Sequence, residues 1–295
     1  GPVLVIGMAE TAVGLGAGVH RALSQTRQDS VYLCSSRHPT GSALFARFEE
    51  EHSHASSHLL HLPQDALTRE MMLNARSLVL VDDEASTGNT FINLTKALAE
   101  AGLNSIERIV TATLTDWSQD AVRHAMGEHV TSISLLDGCY TFTEDSAAEL
   151  PEMPEVGSVA QGNWPLDPSR DWGRMGVREH ADTLAPGLQI QPGERVLVIG
   201  TSEFVWPPFL LAERLERAGA DVHFSSTSRS PIALGHAIDH ALSFSDNYGL
   251  GIPNFLYNVA PGQFDRVLIC SETPAAAVDP ALLNALNAQV IVDDH

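Results

Sequence analysis

Short runs of aliphatic residues recur along this chain and govern its reading. VLVIG (3–7), SVYLCSS (30–36), SLVLVDD (77–83), RIVTATLTDW (108–117) and VTSISLLDG (130–138) are brief and carry no helical repeat. That is the pattern of strands buried in a parallel sheet. Helical spacing appears between them. MAETAVGLGAG (8–18) reads as a turn leading into the helix VHRALSQT (19–26), and TFINLTKALAEAG (90–102) reads as a helix that stops at a glycine. Residues 37–61 read as a polar, histidine-rich segment without a clear element.

The pattern lapses from 151 to 192. PEMPEVGSVAQGNWPLDPSRDWGRMG (151–176) is rich in Pro and Gly and reads as a connection. Its Trp164, Trp172, Arg170 and Arg174 imply that it packs on something. A second strand, loop, helix and strand then follow in ERVLVIGTSEFVWPPFLLAERLERAGADVHFSSTSRSP (194–231), with further strands in DRVLICSE (265–272) and AQVIVDD (288–294). VLVIG occurs twice, but the residues after it differ, so no internal repeat is inferred. The expected organisation is α/β throughout: a parallel-sheet domain over 1–150, a connection over 151–192, and a second, smaller α/β domain over 193–295. In such sheets ligands collect at the carboxyl ends of the strands.

Composition narrows the function. A chain of 295 residues with 44% hydrophobic and 18% charged residues suits two globular domains. Its 17 basic and 37 acidic residues leave a formal charge of −20, which opposes a broad nucleic-acid interface. A small anion held by backbone amides, one or two arginines and a divalent cation remains compatible. Cys34, Cys139 and Cys270 are widely spaced and odd in number, so reduced thiols are expected rather than disulfides or a thiolate zinc site. No apolar run approaches the ~18 residues of a membrane span, and no signal peptide is recognisable, so a cytoplasmic protein without membrane contact is expected.

The candidate chemistry concentrates in LVLVDDEASTGNTF (78–91). Asp82 and Asp83 emerge at a strand tip, and three acids in a row repel one another. The loop then runs into a helix beginning near Thr90. Gly88 permits a tight turn, helix-start amides form an anion site, and the Ser86, Thr87 and Thr90 hydroxyls can add hydrogen bonds. Carboxylates beside an anion site suit a ligand with a phosphate at one end and hydroxyls beyond it, such as a sugar phosphate. GLGAG places Gly14, Gly16 and Gly18 at GxGxG spacing, short of the GxGxxG of a dinucleotide fold.

VLVDDEASTGNT resembles the 5-phosphoribosyl-1-pyrophosphate (PRPP) motif of type I phosphoribosyltransferases, with Glu84 departing from the apolar or small residue usual there. FEEEHSHASSH (48–58) and STSRSPI (226–232) narrow the resemblance to the orotate-phosphoribosyltransferase-like proteins of tellurite-resistance gene clusters. Those proteins carry a C-terminal domain named for a Thr-Arg-Ser-Pro signature, written here Thr227-Ser228-Arg229-Ser230-Pro231. The resemblance implies a phosphoribosyltransferase that uses PRPP and Mg²⁺, releases pyrophosphate, and makes a nucleotide-like compound from an unidentified nitrogenous base. It implies that Asp82 and Asp83 hold the ribose hydroxyls and any direct Mg²⁺ contact. Ala85, Ser86, Thr87, Gly88, Asn89 and Thr90 would cradle the 5′-phosphate. Met8, Ala9, Glu10 and Thr11 would form the pyrophosphate loop, with Arg37 opposing the pyrophosphate. In relatives a neighbouring subunit commonly supplies a loop of the active site, so a homodimer is an expectation.

His52, His54, His58 and His61 lie beside Glu49, Glu50 and Glu51. Three readings stay open. On a helix His54 and His58 share a face, as do His58 and His61, which is compatible with a metal site. The segment can equally be a solvated acidic helix. By the resemblance it is the catalytic loop that closes over PRPP, with His52 or His54 contacting ligand, although relatives carry lysines there and this segment has none. In the second domain Ser202 and Glu203 follow one strand, while Thr227, Ser228, Arg229 and Ser230 follow another, so these are its ligand candidates. The rivals to a transferase are a PRPP- or nucleotide-binding regulator without turnover and a His-cluster metal-binding protein.

Overall fold

The computed structural model describes residues 1–49, 57–143, 162–164, 166–167, 169–235 and 237–293. They fall into two units: those within Gly1–Leu150 together with Asp171–His180, and those within Pro151–Arg170 together with Ala181–His295. In chain order the first contains β1 (Val3–Gly7), α1 (Val13–Ser24), β2 (Ser30–Cys34), β3 (Leu44–Glu49), β4 (Ser57–His61), α2 (Ala66–Leu73), β5 (Ser77–Val81), β6 (Glu84–Ala85), α3 (Asn89–Glu100), β7 (Arg108–Asp116), α4 (Ala121–Met126) and β8 (Val130–Asp137). Its main sheet runs β2-β1-β5-β7-β6, with β8 also on β7. All of these pairings are parallel. β1 and β2 are buried along their whole length, which is why they read as unbroken apolar runs. Leu4, Ile6, Leu33, Leu78 and Leu80 from the strands pack with Phe91, Leu94 and Leu98 of α3 in one core.

The second unit contains β9 (Arg195–Gly200), α5 (Trp206–Arg217), β10 (Asp221–Ser226), β11 (Ala241–Ser245), β12 (Pro253–Tyr257), β13 (Arg266–Ser271), α6 (Pro280–Leu286) and β14 (Gln289–Val292). Its parallel sheet runs β10-β9-β13-β14, and β11 and β12 make an antiparallel hairpin. Leu197, Ile199, Ile269 and Leu282 centre its core.

Three local expectations change. The glycine-rich stretch 13–18 is helical, since α1 begins at Val13. A Cβ on Gly16 would lie 2.7 Å from the Cα of Gly7, so Gly16 serves close contact between α1 and β1 rather than a turn. Residues 44–61 include the antiparallel hairpin β3–β4, not a helix. On β4, His58 and His61 stand three residues apart and therefore face opposite sides, which removes the shared-face argument for that pair. The hairpin β11–β12 carries a weak alternation in sequence and was not anticipated.

The connecting stretch is divided between the units. From it, Asp171–His180 joins the first. Tyr32 and Val177 exchange backbone hydrogen bonds of 2.8 and 2.9 Å, and the Cys34 amide donates to the Gly173 carbonyl at 2.8 Å. The segment thus covers the outer edge of β2, which would otherwise present unpaired backbone groups. Trp172 and Arg174 are buried there with the guanidinium 4.6 Å from the ring centre. The Asp171 carboxylate accepts from the Gly173 and Met175 amides at 2.8 and 3.1 Å, while burial pushes its pKa up. Among the described residues no helix is long and apolar enough to cross a membrane.

His180 closes this segment against α1. Its Nε2 lies 3.0 Å from Nδ1 of the fully buried His20, whose Nε2 meets the Ser30 hydroxyl at 3.1 Å. Burial, then the His20 and Arg21 charges, hold the His180 pKa down to about 3 from 6.5, and burial lowers that of His20. The unfolded chain therefore binds a proton below pH 6.5 that the folded chain refuses, and stability falls as pH drops through that window. Between pH 7 and pH 5 this pair should cost about 1 to 2 kcal/mol of unfolding free energy. Denaturant titration at both pH values reads it, and His180→Gln should flatten the difference. An equal pH slope in the variant would remove the pair as its cause.

Candidate functional site

The first sheet reverses direction between β1 and β5. From β1 the chain crosses through α1 to β2 on one side, and β5 leads through α3 to β7 on the other. The loops after β1 and β5 therefore part, leaving a crevice at the carboxyl edge, the usual ligand position in such sheets. These loops are residues 8–12 and 82–88, the two stretches that the sequence singled out.

The loop after β1 is short and heavily anchored. The Met8 amide donates to the Val81 carbonyl at 3.0 Å, and the Ala12 amide returns to the Met8 carbonyl at 3.0 Å. Met8 and Ala9 are buried. The Ala9–Glu10 peptide bond is cis. The Ala9 amide donates to Ser35 Oγ at 2.9 Å, and the Ala9 carbonyl accepts from Arg37 Nη2 at 3.3 Å. Arg37 is buried and also donates through Nη1 to the Ser57 carbonyl at 3.1 Å. At least two of its donors thus go to backbone carbonyls. Thr11 is exposed, and its hydroxyl reaches across the crevice to Asp83 Oδ1 at 2.8 Å.

The loop after β5 stays tied to β7. The Asp82 amide donates to Ala112 at 3.1 Å, and the Asp83 carbonyl accepts from the Leu114 and Thr115 amides at 3.0 and 3.1 Å. Glu84 and Ala85 then resume parallel pairing opposite Thr115 and Asp116. Asp82 is buried, with Oδ1 accepting from the Asp83 amide at 3.0 Å, whereas Asp83 is only partly buried. Glu84, the departure from the usual motif, is exposed. Ser86 and Thr87 are exposed as well, and Thr87 Oγ1 accepts from the Asn89 amide at 3.3 Å. Gly88 precedes α3 with φ of 76° and, as the N-cap residue, has no side chain with which to cap the helix. Asn89 and Thr90 open the first turn, whose amides and dipole favour an anion. Two carboxylates at a strand tip beside a helix start can hold hydroxyls and a phosphate together.

His52 and His54 lie outside the described residues. His58 and His61 are buried, and His58 stacks on Phe48 with ring centres 4.5 Å apart. Its Nδ1 stands 2.9 Å from Ser35 Oγ. Neither Ser35 nor this role of His58 was anticipated; the only trace is that Ser35 follows a strand two residues before Arg37. Among the described residues no three His, Cys, Asp or Glu side chains gather to hold a metal by themselves. A divalent ion here would depend on oxygens of the ligand, in keeping with the preferences of Mg²⁺.

The second sheet has the same kind of reversal between β9 and β13. Around its carboxyl edge Ser202, Glu203, Thr227 and Arg229 are buried, and Glu203 is fully so. The Thr201 hydroxyl donates to the Cys270 carbonyl at 3.0 Å and the Ser202 amide to Thr227 Oγ1 at 2.9 Å. Ser228 exchanges backbone bonds with Phe255 at 2.9 and 2.7 Å, and the exposed Ser230 accepts from the Tyr257 hydroxyl at 2.7 Å. The sequence had not singled out Asn247, Ser271 and Thr273 here. Asn247 Nδ2 donates to Ser271 Oγ and Thr273 Oγ1 at 3.2 and 3.0 Å. The Asp246 carboxylate organises their loop by accepting from the Tyr248, Leu250 and Ile252 amides. Burial pushes the Cys270 thiol far above its usual range, so it is no nucleophile.

Residues 1–139 match the family model described as phosphoribosyl transferase, and residues 172–287 match that of the TRSP domain, which lies C-terminal to this transferase domain. Among solved structures the chain is similar to adenine phosphoribosyltransferase from Rhodothermus marinus DSM 4252, at 17% identity over 46% of this chain and 69% of that one, with a TM-score of 0.31. No curated protein matches the chain.

The turn at Gly88 yields a test of the site's architecture. An added Cβ would strain a left-handed φ and approach Val122 Cγ2 to 2.6 Å. Gly88→Ala should lower stability by about 1 to 2 kcal/mol, whereas Ser86→Ala should stay within about 0.5 kcal/mol of wild type. Equal chemical-denaturation midpoints for the two variants would contradict this geometry.

Proposed function

The chain belongs to the phosphoribosyl transferase family with a C-terminal TRSP domain, and on that premise we propose that it transfers the phosphoribosyl group of PRPP to a nitrogenous base with release of pyrophosphate. The observation that carries the proposal is the placement of Asp82 and Asp83 beside the start of α3 on one side of the crevice. That combination suits a sugar with a phosphate on its 5′-carbon.

In this reading the amides of the α3 start and the Ser86 and Thr87 hydroxyls bind the 5′-phosphate. Asp82 and Asp83 accept hydrogen bonds from the ribose 2′- and 3′-hydroxyls. As the bond from C1 to the pyrophosphate oxygen breaks, positive charge grows on the ring, and these carboxylates stabilise it. The acceptor nitrogen forms the new bond to C1, and the 8–11 loop holds the departing pyrophosphate. Bound with the substrate's phosphates, Mg²⁺ would supply further neutralising charge, with Asp82 and Asp83 as its protein contacts. The product is nucleotide-like, and a homodimer remains part of the proposal by analogy with relatives.

Lys96, on α3, is the single lysine of the chain. A lysine-rich loop over the leaving group is therefore absent from the sequence. This favours a second reading, a regulator that binds PRPP or a nucleotide without turnover. The two readings separate on pyrophosphate release from PRPP and Mg²⁺ across purine, pyrimidine and other nitrogenous acceptors. Acceptor-dependent release is expected, with Asp83→Asn lowering it about 100-fold or more while the thermal transition stays in place. Unchanged turnover in Asp83→Asn would sink the site assignment, and PRPP binding without release for any acceptor would favour the regulator.

For the TRSP unit we propose a separate small-molecule site at its β9/β13 reversal, formed by Ser202, Glu203, Thr227 and Arg229 with Ser228 and Ser230 beside them. Nucleotide-like products of the first unit are the ligand class to try. Arg229→Met should leave pyrophosphate release within about twofold of wild type and abolish the thermal stabilisation that such a nucleotide confers. Loss of release would instead show that Arg229 serves the transfer reaction itself.

A further inference from the structure

The β3–β4 hairpin holds both backbone groups of a single residue in the loop after β1. Ser57 and His58 are consecutive on β4, and each reaches Ala9 through one side chain at the end of β2. On the carbonyl side, Arg37 bridges Ser57 O at 3.1 Å and Ala9 O at 3.3 Å. On the amide side, Ser35 Oγ lies 2.9 Å from both the Ala9 nitrogen and His58 Nδ1. A serine hydroxyl has one proton and two lone pairs. With His58 carrying its proton on Nε2, Ser35 gives its proton to Nδ1 and turns a lone pair toward the Ala9 amide. Ser35 is itself fixed, since its own amide donates to the Gly7 carbonyl at 3.0 Å. His58 is fixed by its stack on Phe48, at an interplanar angle of 12°. Ser35, Arg37 and His58 are all buried, so water does not compete for these bonds.

We propose that Ser35 and His58 are positioning residues for the diphosphate end of the substrate, acting with Arg37 as a clamp through which the hairpin sets the conformation of the 8–11 loop. This rests on the reading of that loop as the pyrophosphate site. It assigns a role to His58 that is neither metal ligation nor contact with substrate, and it makes Arg37 act through Ala9 rather than by pairing with phosphate.

Direct binding tests this without turnover. The full chain is titrated calorimetrically with PRPP and, separately, with ribose 5-phosphate, both with Mg²⁺. Ribose 5-phosphate presents the sugar and 5′-phosphate but no diphosphate. Wild type should bind both. Ser35→Ala and His58→Leu should each weaken PRPP about five- to tenfold, the worth of one buried hydrogen bond, while ribose 5-phosphate stays within about twofold. His58→Asn, whose amide can occupy the position of Nδ1, should recover most of the loss. The Ser35→Ala/His58→Leu double variant should be no weaker than the worse single one, as expected of two groups in one relay. Equal losses for both ligands would reduce the clamp to general scaffolding and overturn the inference, as would unchanged PRPP affinity or a His58→Asn variant no better than His58→Leu. If wild type itself binds neither ligand, the transferase reading of the crevice fails, and the role assigned to the clamp fails with it.

Discussion

The distance between α1 and β1 governs the first crevice. At Gly7 and Gly16 the helix backbone lies so close to the strand that a methyl group on either would meet main-chain atoms, with 2.7 Å left at Gly16 and 2.8 Å at Gly7. Contact that close needs a short path from strand to helix, and five residues, 8–12, provide it. A loop of this length has little freedom of its own. Its amides and carbonyls have been committed to Val81, Ser35 and Arg37, and the tip is presented across the crevice from Asp83. Tyr32 secures the same junction from below, with its hydroxyl donating to the Val13 carbonyl at 2.6 Å. Helix propensity alone would disfavour a glycine in α1 by about 1 kcal/mol against alanine; at Gly16 close packing on Gly7 decides the matter.

Charge poses the second constraint. A chain of formal charge −20 repels a polyanion at long range, so attraction has to be local. Backbone amides at a helix start supply it without adding net charge, and a buried guanidinium supplies it without being neutralised, because arginine does not lose its proton. The chain has groups for both means in the α3 start and Arg229, whereas Arg37 is engaged by backbone carbonyls, and its single lysine lies on α3. Asp82 and Asp83 would be a liability beside a phosphate alone. They become useful if the ligand separates its phosphate from a diol and from a centre that turns positive during reaction.

The strands were legible because burial on both faces writes itself as an unbroken apolar run, as in β1, β2 and β9. The strand-tip carboxylates and the 85–90 turn were legible for a related reason: acids and small polar residues directly after such a run have few structural uses. What stayed hidden was what depends on contacts distant in sequence. Nothing local marks α1 as helical over Gly14–Gly18 until β1 lies beneath it. β4 is buried throughout and does not alternate, its histidines mimic a metal cluster, and only pairing with β2-side groups turns His58 into a partner of Ser35, 23 residues away. Segment 171–180 was expected to pack, but not on the edge of β2, since an edge vacancy is a property of the folded sheet. Asn247, Ser271 and Thr273 meet only after β13 and the 246–252 loop have assembled.

The helix starts beside the two reversals differ, α3 following β5 in the first unit and α5 following β9 in the second. In the first, α3 opens with Asn89, Thr90 and Phe91, each carrying an amide proton, that of Asn89 going to Thr87 Oγ1 at 3.3 Å. In the second, α5 opens with Trp206 followed by Pro207 and Pro208. Proline has no N–H, so two donors of the first turn do not exist, and the anion site that a helix start normally offers is dismantled. An anion at that edge would depend on the side chain of Arg229, buried after β10, with Glu203 fully buried in the loop after β9. A phosphate monoester seated by amides suits the first crevice. A ligand recognised by one guanidinium, one carboxylate and a set of hydroxyls suits the second.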